Sequence, residues 1–337
     1  MRGDPARARF RTSRRRFNRV LAGLFLAALP ITTAQGQTAV RRIGRLESGG
    51  PDTPEYIRLQ AEALREFGWV EGQTLNVERR YANGRFDALQ PLAEELIRAN
   101  VEIIVTGGTA ATKAAMRATT TVPIVFRFAA DPVGTALVAS LAHPGGNVTG
   151  FSGTAPEINA KYLSVLKELL PGLQRVGFVE STNPAWQTMR EQIRTICRSA
   201  GLELPVFAEI AAGDIEGPIA RLAQQRVQVL ILRSDGVMFD RRFEVVAAAM
   251  RHRLPTMAEQ PDIVREAGAL MSYYPNETEE LRRAASYIDR VLRGAKPADL
   301  PVEQPSKFNL MFNLKTAKAL GIAIPQPLLL RADEVIQ

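Results

Sequence analysis

Short apolar runs alternate with amphipathic segments along most of the chain, which predicts alternating strands and helices. Apolar residues recur at helical spacing from Pro54 to Phe67, and Leu75 to Tyr81 alternates with a period of two. The run Ile103 to Val105 is continuously apolar, as expected of a strand buried on both faces. Further strands are predicted at 43–46 and 123–126, and helices at 86–98, 110–118 and in a short segment ending at Leu141. This βαβαβαβ order predicts a parallel sheet covered by helices on both faces.

The densest cluster of turn-forming residues, Pro144 to Gly150, is followed by a second round of the same pattern. Strands are predicted at 175–179, 203–208, 227–232, 255–257, 269–274 and 308–312, and helices at 159–170, 186–200, 215–225, 243–251, 277–292 and 314–320. The fold class is therefore α/β, with two doubly wound parallel-sheet lobes joined by hinge crossings near Gly145 to Gly150 and near Tyr274. We expect one lobe to contain residues 37–148 and 275–300, and the other 149–274 and 301–337.

The segments that follow the strands are where a ligand is expected, because open α/β sheets bind ligands beyond the carboxyl ends of their strands. Thr106 to Thr109 opens a helix and suits an anionic group such as a carboxylate, although Thr109 could instead cap its own helix. Asp131 and Asp235 suit an ammonium or hydroxyl group, or serve as helix caps. The candidate ligand-binding residues are Glu47, Ser48, Thr106, Gly107, Gly108, Thr109, Asp131, Ser181, Asn183, Asp235, Tyr273 and Tyr274. One of the two tyrosines should point away from the ligand, because strand side chains alternate.

Residues 1–36 have the layout of a secretory signal peptide. Arginines cluster between Arg7 and Arg19, and the apolar run from Val20 to Leu29 follows them. Ten residues rise about 15 Å as a helix, half of a hydrocarbon core of about 30 Å. Cleavage is expected at 34/35 or 36/37, and both general and twin-arginine export remain open, the latter because of Ser13 to Phe17. No cysteine lies near the cleavage site, so we expect a periplasmic protein without a lipid anchor.

Charge and composition exclude several functional classes. The formal net charge is +8, but residues 1–36 hold eight arginines and one acid, so the rest of the chain is nearly neutral and no nucleic-acid partner is expected. A single cysteine, Cys197, and two histidines, His143 and His252, predict neither a disulfide scaffold nor a metal site. The chain lacks dinucleotide-binding, Walker A and nucleophile-elbow motifs, so we expect no cofactor and no enzyme activity.

Three long segments together resemble the ABC-transporter substrate-binding protein family typified by tryptophan-binding lipoproteins. They are 131–150, 251–273 and 296–321, and the likeness extends over nearly all of residues 41–337. The resemblance implies a type I periplasmic-binding-protein fold whose pocket loops correspond to the candidate residues above. Two departures concern the ligand: Thr106 to Gly108 stands where a Ser-Gly-Thr-Pro-like loop is usual, and Glu180 to Thr182 where a Tyr-Asn-Pro-like loop is usual.

The same resemblance implies how such a protein acts. A small molecule, expected here to be an amino acid or a related small carboxylate, is captured between the lobes by hinge closure and delivered to an ABC permease in the inner membrane. Proteins of this shape usually work as monomers. Two alternatives remain: a ligand-sensing partner of a membrane receptor, and a secreted α/β enzyme.

Overall fold

The computed structural model describes residues 40–154, 156–211 and 213–337. The predicted signal peptide therefore lies outside the described residues. The strands are β1 (Arg41–Glu47), β2 (Leu75–Tyr81), β3 (Ile103–Gly107), β4 (Ile124–Ala130), β5 (Val148–Thr154), β6 (Val176–Ser181), β7 (Val206–Ile210), β8 (Val229–Leu232), β9 (Thr256–Ala258), β10 (Met271–Pro275), β11 (Phe308–Asn313) and β12 (Glu334–Ile336). The helices are α1 (Pro54–Arg65), α2 (Leu89–Arg98), α3 (Gly108–Ala118), α4 (Pro156–Leu169), α5 (Pro184–Ser199), α6 (Glu216–Gln224), α7 (Gly236–Asp240), α8 (Arg242–Arg251), α9 (Pro261–Arg265), α10 (Glu277–Leu292), α11 (Leu314–Leu320) and α12 (Gln326–Leu330).

The first sheet has the strand order β2-β1-β3-β4-β5, and all its strand pairs are parallel. Its two faces are buried separately. Leu46 and Phe126 pack with α2 and α3 on one face, and Ile43 and Val105 pack with α1 and α10 on the other. This covering on both faces explains why β3 is apolar throughout, and it confirms the doubly wound arrangement predicted from the alternation.

The second sheet has the order β12-β11-β10-β9-β8-β6-β7. Its pairs are parallel except β10 with β11, which is antiparallel. One face packs on α4 and α5, where Cys197 is fully buried, and the other packs on α6 and α8. The predicted α/β fold with two lobes is therefore confirmed. Among the described residues, no helix combines the length and apolarity that crossing a membrane requires.

The sheets divide the chain differently from the predicted boundaries. Strand β5 begins at Val148 and pairs with β4, so residues 149–154 belong to the first sheet. The backbone of Glu303 also pairs with β5, through Gly150 and Ser152. Gly150 is needed for close strand pairing, because a Cβ there would lie 2.0 Å from the carbonyl oxygen of Phe126. Gly150 therefore serves strand pairing within the first sheet, and the chain crosses to the second sheet only after Thr154.

Candidate functional site

A cavity of about 190 Å³ lies where the carboxyl ends of the strands of both sheets converge. Segments that follow β1 and β3, together with the last residues of β4, line it from the first sheet. Segments that follow β6, β8 and β9 line it from the second. Its wall includes Glu47 to Thr53, Gly107 to Ala110, Arg127, Asn183, Trp186, Ser234 to Gly236, Glu259 to Asp262, Tyr274 and Glu280. This is the position at which open α/β sheets bind ligands.

Most of the candidate residues lie on this wall. Those that line the cavity are Glu47, Ser48, Gly107, Gly108, Thr109, Asn183, Asp235 and Tyr274. Thr109 does not cap its own helix, since the cap position is Gly107. Its hydroxyl oxygen instead accepts a hydrogen bond from the backbone N–H of Ala130 at 3.0 Å, which ties the start of α3 to the end of β4.

The other four candidates lie behind the wall. The Thr106 hydroxyl is fully buried, 2.8 Å from that of Thr112, and the Ser181 hydroxyl donates to Asp235. Asp131 accepts a hydrogen bond from the backbone of the turn that follows β4. Tyr273 stacks on Phe308 in the core of the second lobe, with ring centroids 5.3 Å apart. The alternation of strand side chains thus separates Tyr273 from Tyr274, as predicted.

Four charged side chains form a network around the end of β1. Arg45 donates to Glu47 at 2.8 Å and to Asp52 at 2.5 Å, and Arg127 donates to Glu47 at 2.7 Å. Burial opposes ionisation of Glu47, but the two guanidinium groups outweigh it and hold the pKa of Glu47 below its usual range. Both guanidinium carbons also lie 5.2 Å from the centroid of the Tyr56 ring. These contacts hold basic and acidic side chains in fixed positions at this end of the cavity.

A local irregularity of β4 brings Arg127 to the cavity. The register with β5 shifts between Phe126 and Ala129, and Phe128 between them has φ 55°. Such bulges change the direction of side chains and often occur at binding sites. Arg127 is only 5% exposed, and its Nε and Nη1 atoms have no hydrogen-bond partner among the described residues. A buried guanidinium with unsatisfied donors is costly unless something else accepts from it.

Asp235 organises the opposite wall. It follows β8, and it accepts hydrogen bonds from the Ser181 hydroxyl, from the Trp186 indole N–H at 3.0 Å and from the backbone N–H of Met238 at 2.9 Å. The last of these contacts caps α7, so Asp235 both lines the cavity and caps a helix. Burial raises the pKa of its carboxyl group, against the effect of these donors.

Glu280 brings an unpaired carboxyl group to the cavity from α10. It is 9% exposed, and its Oε2 atom has no hydrogen-bond partner among the described residues. Burial raises its pKa to about 8, although Arg127 and Arg283 favour the ionised form. Glu277, one turn earlier, has its pKa raised to about 7 mainly by burial. The start of α10 therefore holds two carboxyl groups that ionise near neutral pH.

These shifts predict how the stability of the ligand-free protein depends on pH. The folded protein retains the Glu280 proton up to about pH 8, whereas the unfolded chain releases it near the ordinary value of 4.5. Stability should therefore fall as the pH rises through this window, because the unfolded state binds fewer protons. Glu280→Gln should raise the free energy of unfolding by about 4 kcal/mol at pH 8 and have little effect at pH 4.

Urea denaturation at a series of pH values would measure this difference. Glu279→Gln is the matched control, since Glu279 neighbours Glu280 but is ion-paired with Arg283 at 2.6 Å and is more exposed. Charged and titratable groups that act on Glu280 also come from β4 through Arg127 and from α4 through Tyr162. If Glu280→Gln and the wild type showed the same pH dependence, Glu280 would not be the group responsible.

The two lobes contact one another above the cavity through glycine backbones. A Cβ built on Gly236 would lie 2.3 Å from the backbone nitrogen of Gly49, and one built on Gly49 would lie 2.7 Å from the Cα of Gly236. Beside them, the Gly50 N–H donates to Asp240 at 2.9 Å. The segments after β1 and β8 therefore approach closely enough that any side chain at either glycine would separate them.

Several wall residues were absent from the sequence-based candidates. They are Asp52, Tyr56, Arg127, Trp186, Glu259 and Glu280. The sequence does carry a signal for two of them. Arg127 interrupts the apolar strand β4, and Glu280 lies on the same helical stripe as the buried Leu281, Ala284 and Ile288. A charged residue at a position whose neighbours are buried needs a partner, which makes it a candidate for ligand binding. Within residues 40–154, 156–211 and 213–337, no group of three or more His, Cys, Asp or Glu side chains could hold a metal ion.

Comparison with known proteins gives a consistent result. The profile of the family described as ABC transporter substrate binding protein matches residues 58–336. A tyrosine-binding protein of Clostridioides difficile is 24% identical over 263 residues, which are 77% of this chain and 75% of that protein. A solved structure of a conserved domain protein from Vibrio cholerae superposes with a TM-score of 0.81 at 25% identity, and covers 88% of this chain and 99% of its own.

A second solved structure is an ABC domain from Streptococcus pneumoniae in complex with L-Trp. Its TM-score is 0.78 at 24% identity, again over 88% of this chain and 99% of its own. These likenesses confirm the fold, and the family profile covers well over half of the chain. The protein therefore belongs to the family of ABC transporter substrate-binding proteins, as the resemblance of its three signature segments predicted.

Proposed function

We propose that this protein is the extracytoplasmic solute-binding protein of an ABC importer. It captures an amino acid or a related small carboxylate in the interlobe cavity and passes it unaltered to a permease in the inner membrane. The observation that carries the proposal is the cavity itself, which both sheets line and which the contact between Gly49 and Gly236 covers. Residues of both lobes can surround a ligand in such a cleft only when the lobes approach each other, which is why we propose hinge closure.

The chemistry of the wall suits a small carboxylate. Two nitrogen atoms of Arg127, Nε and Nη1, have no acceptor within the described residues. The first turn of α3 begins beside Arg127 at Gly108, where backbone N–H groups lack intrahelical acceptors. Tyr56 and Trp186 add aromatic surface on opposite sides of the cavity. The names of two relatives, a tyrosine-binding protein and a domain solved with L-Trp, agree with such a ligand.

Three connections between the two sheets would form the hinge. The chain crosses after β5, crosses back between β10 and α10, and crosses again between Glu303 and Phe308. We propose a monomer that is directed to the periplasm by residues 1–36, without a lipid anchor. Sensing through a membrane receptor would use the same closure, so co-purification with a permease rather than with a receptor would support uptake.

A thermal-shift screen of the purified protein tests the ligand class. Amino acids, aromatic carboxylates and small organic acids would be added singly, and a true ligand should raise the melting temperature because it binds the folded state. The expected gain is about 2.7 kcal/mol when the free ligand is about a hundred times its Kd. Mass spectrometry should recover that ligand chemically unchanged, whereas turnover would indicate an enzyme. If no compound in a broad panel raises the melting temperature, the proposed ligand class is wrong.

A further inference from the structure

The cavity wall holds a basic and an acidic side chain that face the same space without forming an ion pair. Arg127 is 5% exposed and Glu280 is 9% exposed, and both line the cavity. The Nε and Nη1 atoms of Arg127 and the Oε2 atom of Glu280 lack hydrogen-bond partners among the described residues. Arg127 is the basic side chain that acts most strongly on the Glu280 carboxyl group, so the two groups are neighbours that do not touch.

The other acids of the wall are already matched. Glu47 accepts from both Arg45 and Arg127, and Glu259 lies 3.4 Å from Arg233. Asp235 is satisfied by neutral donors, including the Trp186 indole. Within the described part of the chain, Glu280 is therefore the wall acid that combines the lack of an ion pair with a buried carboxyl oxygen that no donor reaches.

Burial costs both groups their hydration, and neither gains the attraction of a direct contact. The Glu280 carboxyl group therefore retains its proton up to about pH 8 until a cation contacts it. The scaffold holds these two apart. Glu47 anchors Arg127 and is itself wedged against Gly107, where a Cβ would lie 1.7 Å from the Glu47 Oε2 atom. Glu280 is fixed on α10, whose first turn is capped by Asn276. Arg127 is therefore held away from Glu280 by its contact with Glu47.

We propose that Arg127 and Glu280 are the two ends of a subsite for a zwitterion. The ligand carboxylate accepts hydrogen bonds from Arg127, and the ligand ammonium group donates to Glu280. A compound that carries both charges on one carbon, as an α-amino acid does, fits between two such groups, whereas a simple carboxylate leaves Glu280 unpaired. This inference rests on the proposed function and narrows its ligand class from small carboxylates to amino acids.

The test compares ligands that differ by one charged group. The common L-amino acids are screened by thermal shift, and each that binds is compared by calorimetry with its desamino acid and its decarboxylated amine. For L-tyrosine these are phloretic acid and tyramine. Wild-type protein should bind the amino acid at least about 30-fold more tightly than either analogue, because loss of one partner leaves a buried charge unpaired.

Variants then assign each end of the ligand. Glu280→Gln should weaken amino-acid binding about 30-fold and change binding of the desamino acid less than about threefold. Arg127→Gln should weaken binding of the amino acid and the desamino acid and spare the amine. Circular dichroism would show whether Arg127→Gln folds. If it does not, Arg127→Lys, which keeps the positive charge, would be used in its place.

Each outcome bears on the proposal. If the desamino acid binds wild-type protein as tightly as the amino acid, the zwitterion subsite is wrong while capture of a small carboxylate stands. If Glu280→Gln weakens both compounds equally, Glu280 supports the fold of the site and does not contact the ammonium group. If no amino acid and no carboxylate binds, both this inference and the proposed ligand class are overturned.

Discussion

Replacing Gly236 with alanine is expected to weaken ligand binding by at least about 100-fold, with little change in the stability of the ligand-free protein. The added Cβ would lie 2.3 Å from the backbone nitrogen and 2.5 Å from the Cα of Gly49, and backbone atoms cannot rotate away. Gly236 does not have a positive φ, so alanine fits its local conformation. The alanine therefore destabilises only the conformation in which the lobes are in contact. The apparent Kd rises by the same factor by which the population of this closed conformation falls.

Calorimetry with the amino acid found by thermal shift would measure the affinity, and small-angle scattering would show whether the ligand still makes the protein more compact. Gly49→Ala should behave like Gly236→Ala, because the clash is mutual. Gly172→Ala is the matched control, since nothing lies within 4 Å of its added Cβ and its φ is not positive. An affinity within about threefold of wild type in Gly236→Ala would show that binding does not require this contact.

The fold could be predicted largely because the periodicity of the chain reflects burial. Strand β3 is apolar throughout because helices cover both of its faces, and β2 alternates because it lies at the sheet edge. Helix α10 was predicted with its observed bounds because its apolar stripe is long and Asn276 caps it. Apolar periodicity and helix caps depend only on residues that are close in the chain, so both can be recognised from the sequence alone.

The connection that follows β4 shows where local signals fail. The sequence predicts a short helix that ends at Leu141, but residues 131–147 form turns. Asp131 and Ala136 have φ values of 38° and 57°, and the Asp131 side chain accepts from the backbone of Gly134 at 2.9 Å. A hydrogen bond from a nearby backbone N–H to an aspartate side chain stabilises a turn, and this turn competes with helix formation. The sequence alone does not distinguish such an aspartate from one that caps a helix.

The sequence predicted where the site lies but not all of the residues that line it. Strand ends such as Glu47, Thr109 and Asp235 line the cavity because parallel strands bring their carboxyl ends together. Arg127 reaches the wall through the bulge in β4. Glu280 reaches it because the chain leaves the second sheet after β10 and α10 packs on the first sheet. Both placements depend on contacts between distant segments, which periodicity does not report.

Replacing Arg45 with methionine is expected to destabilise the protein by about 3–5 kcal/mol. Arg45 is 1% exposed at the side chain, and it is ion-paired with Glu47 and Asp52 while donating to Gln60 at 2.8 Å. Removing it leaves two carboxyl groups in a poorly hydrated site, and burial already raises the pKa of Asp52. Chemical denaturation of the ligand-free protein would measure the loss. Adding Asp52→Asn should recover part of it, because one stranded charge is then gone.

Arg58 offers a matched comparison, because it also pairs with two carboxylates, Glu55 and Glu62, both at 2.6 Å. Its side chain is 53% exposed, so water can replace the lost partner and Arg58→Met should change the denaturation midpoint little. Equal losses in the two variants would mean that the number of ion pairs sets the cost. A large loss confined to Arg45→Met would mean that burial determines the loss of stability. It would also mean that the positions of Glu47 and Arg127 are maintained by buried ion pairs whose disruption is strongly unfavourable.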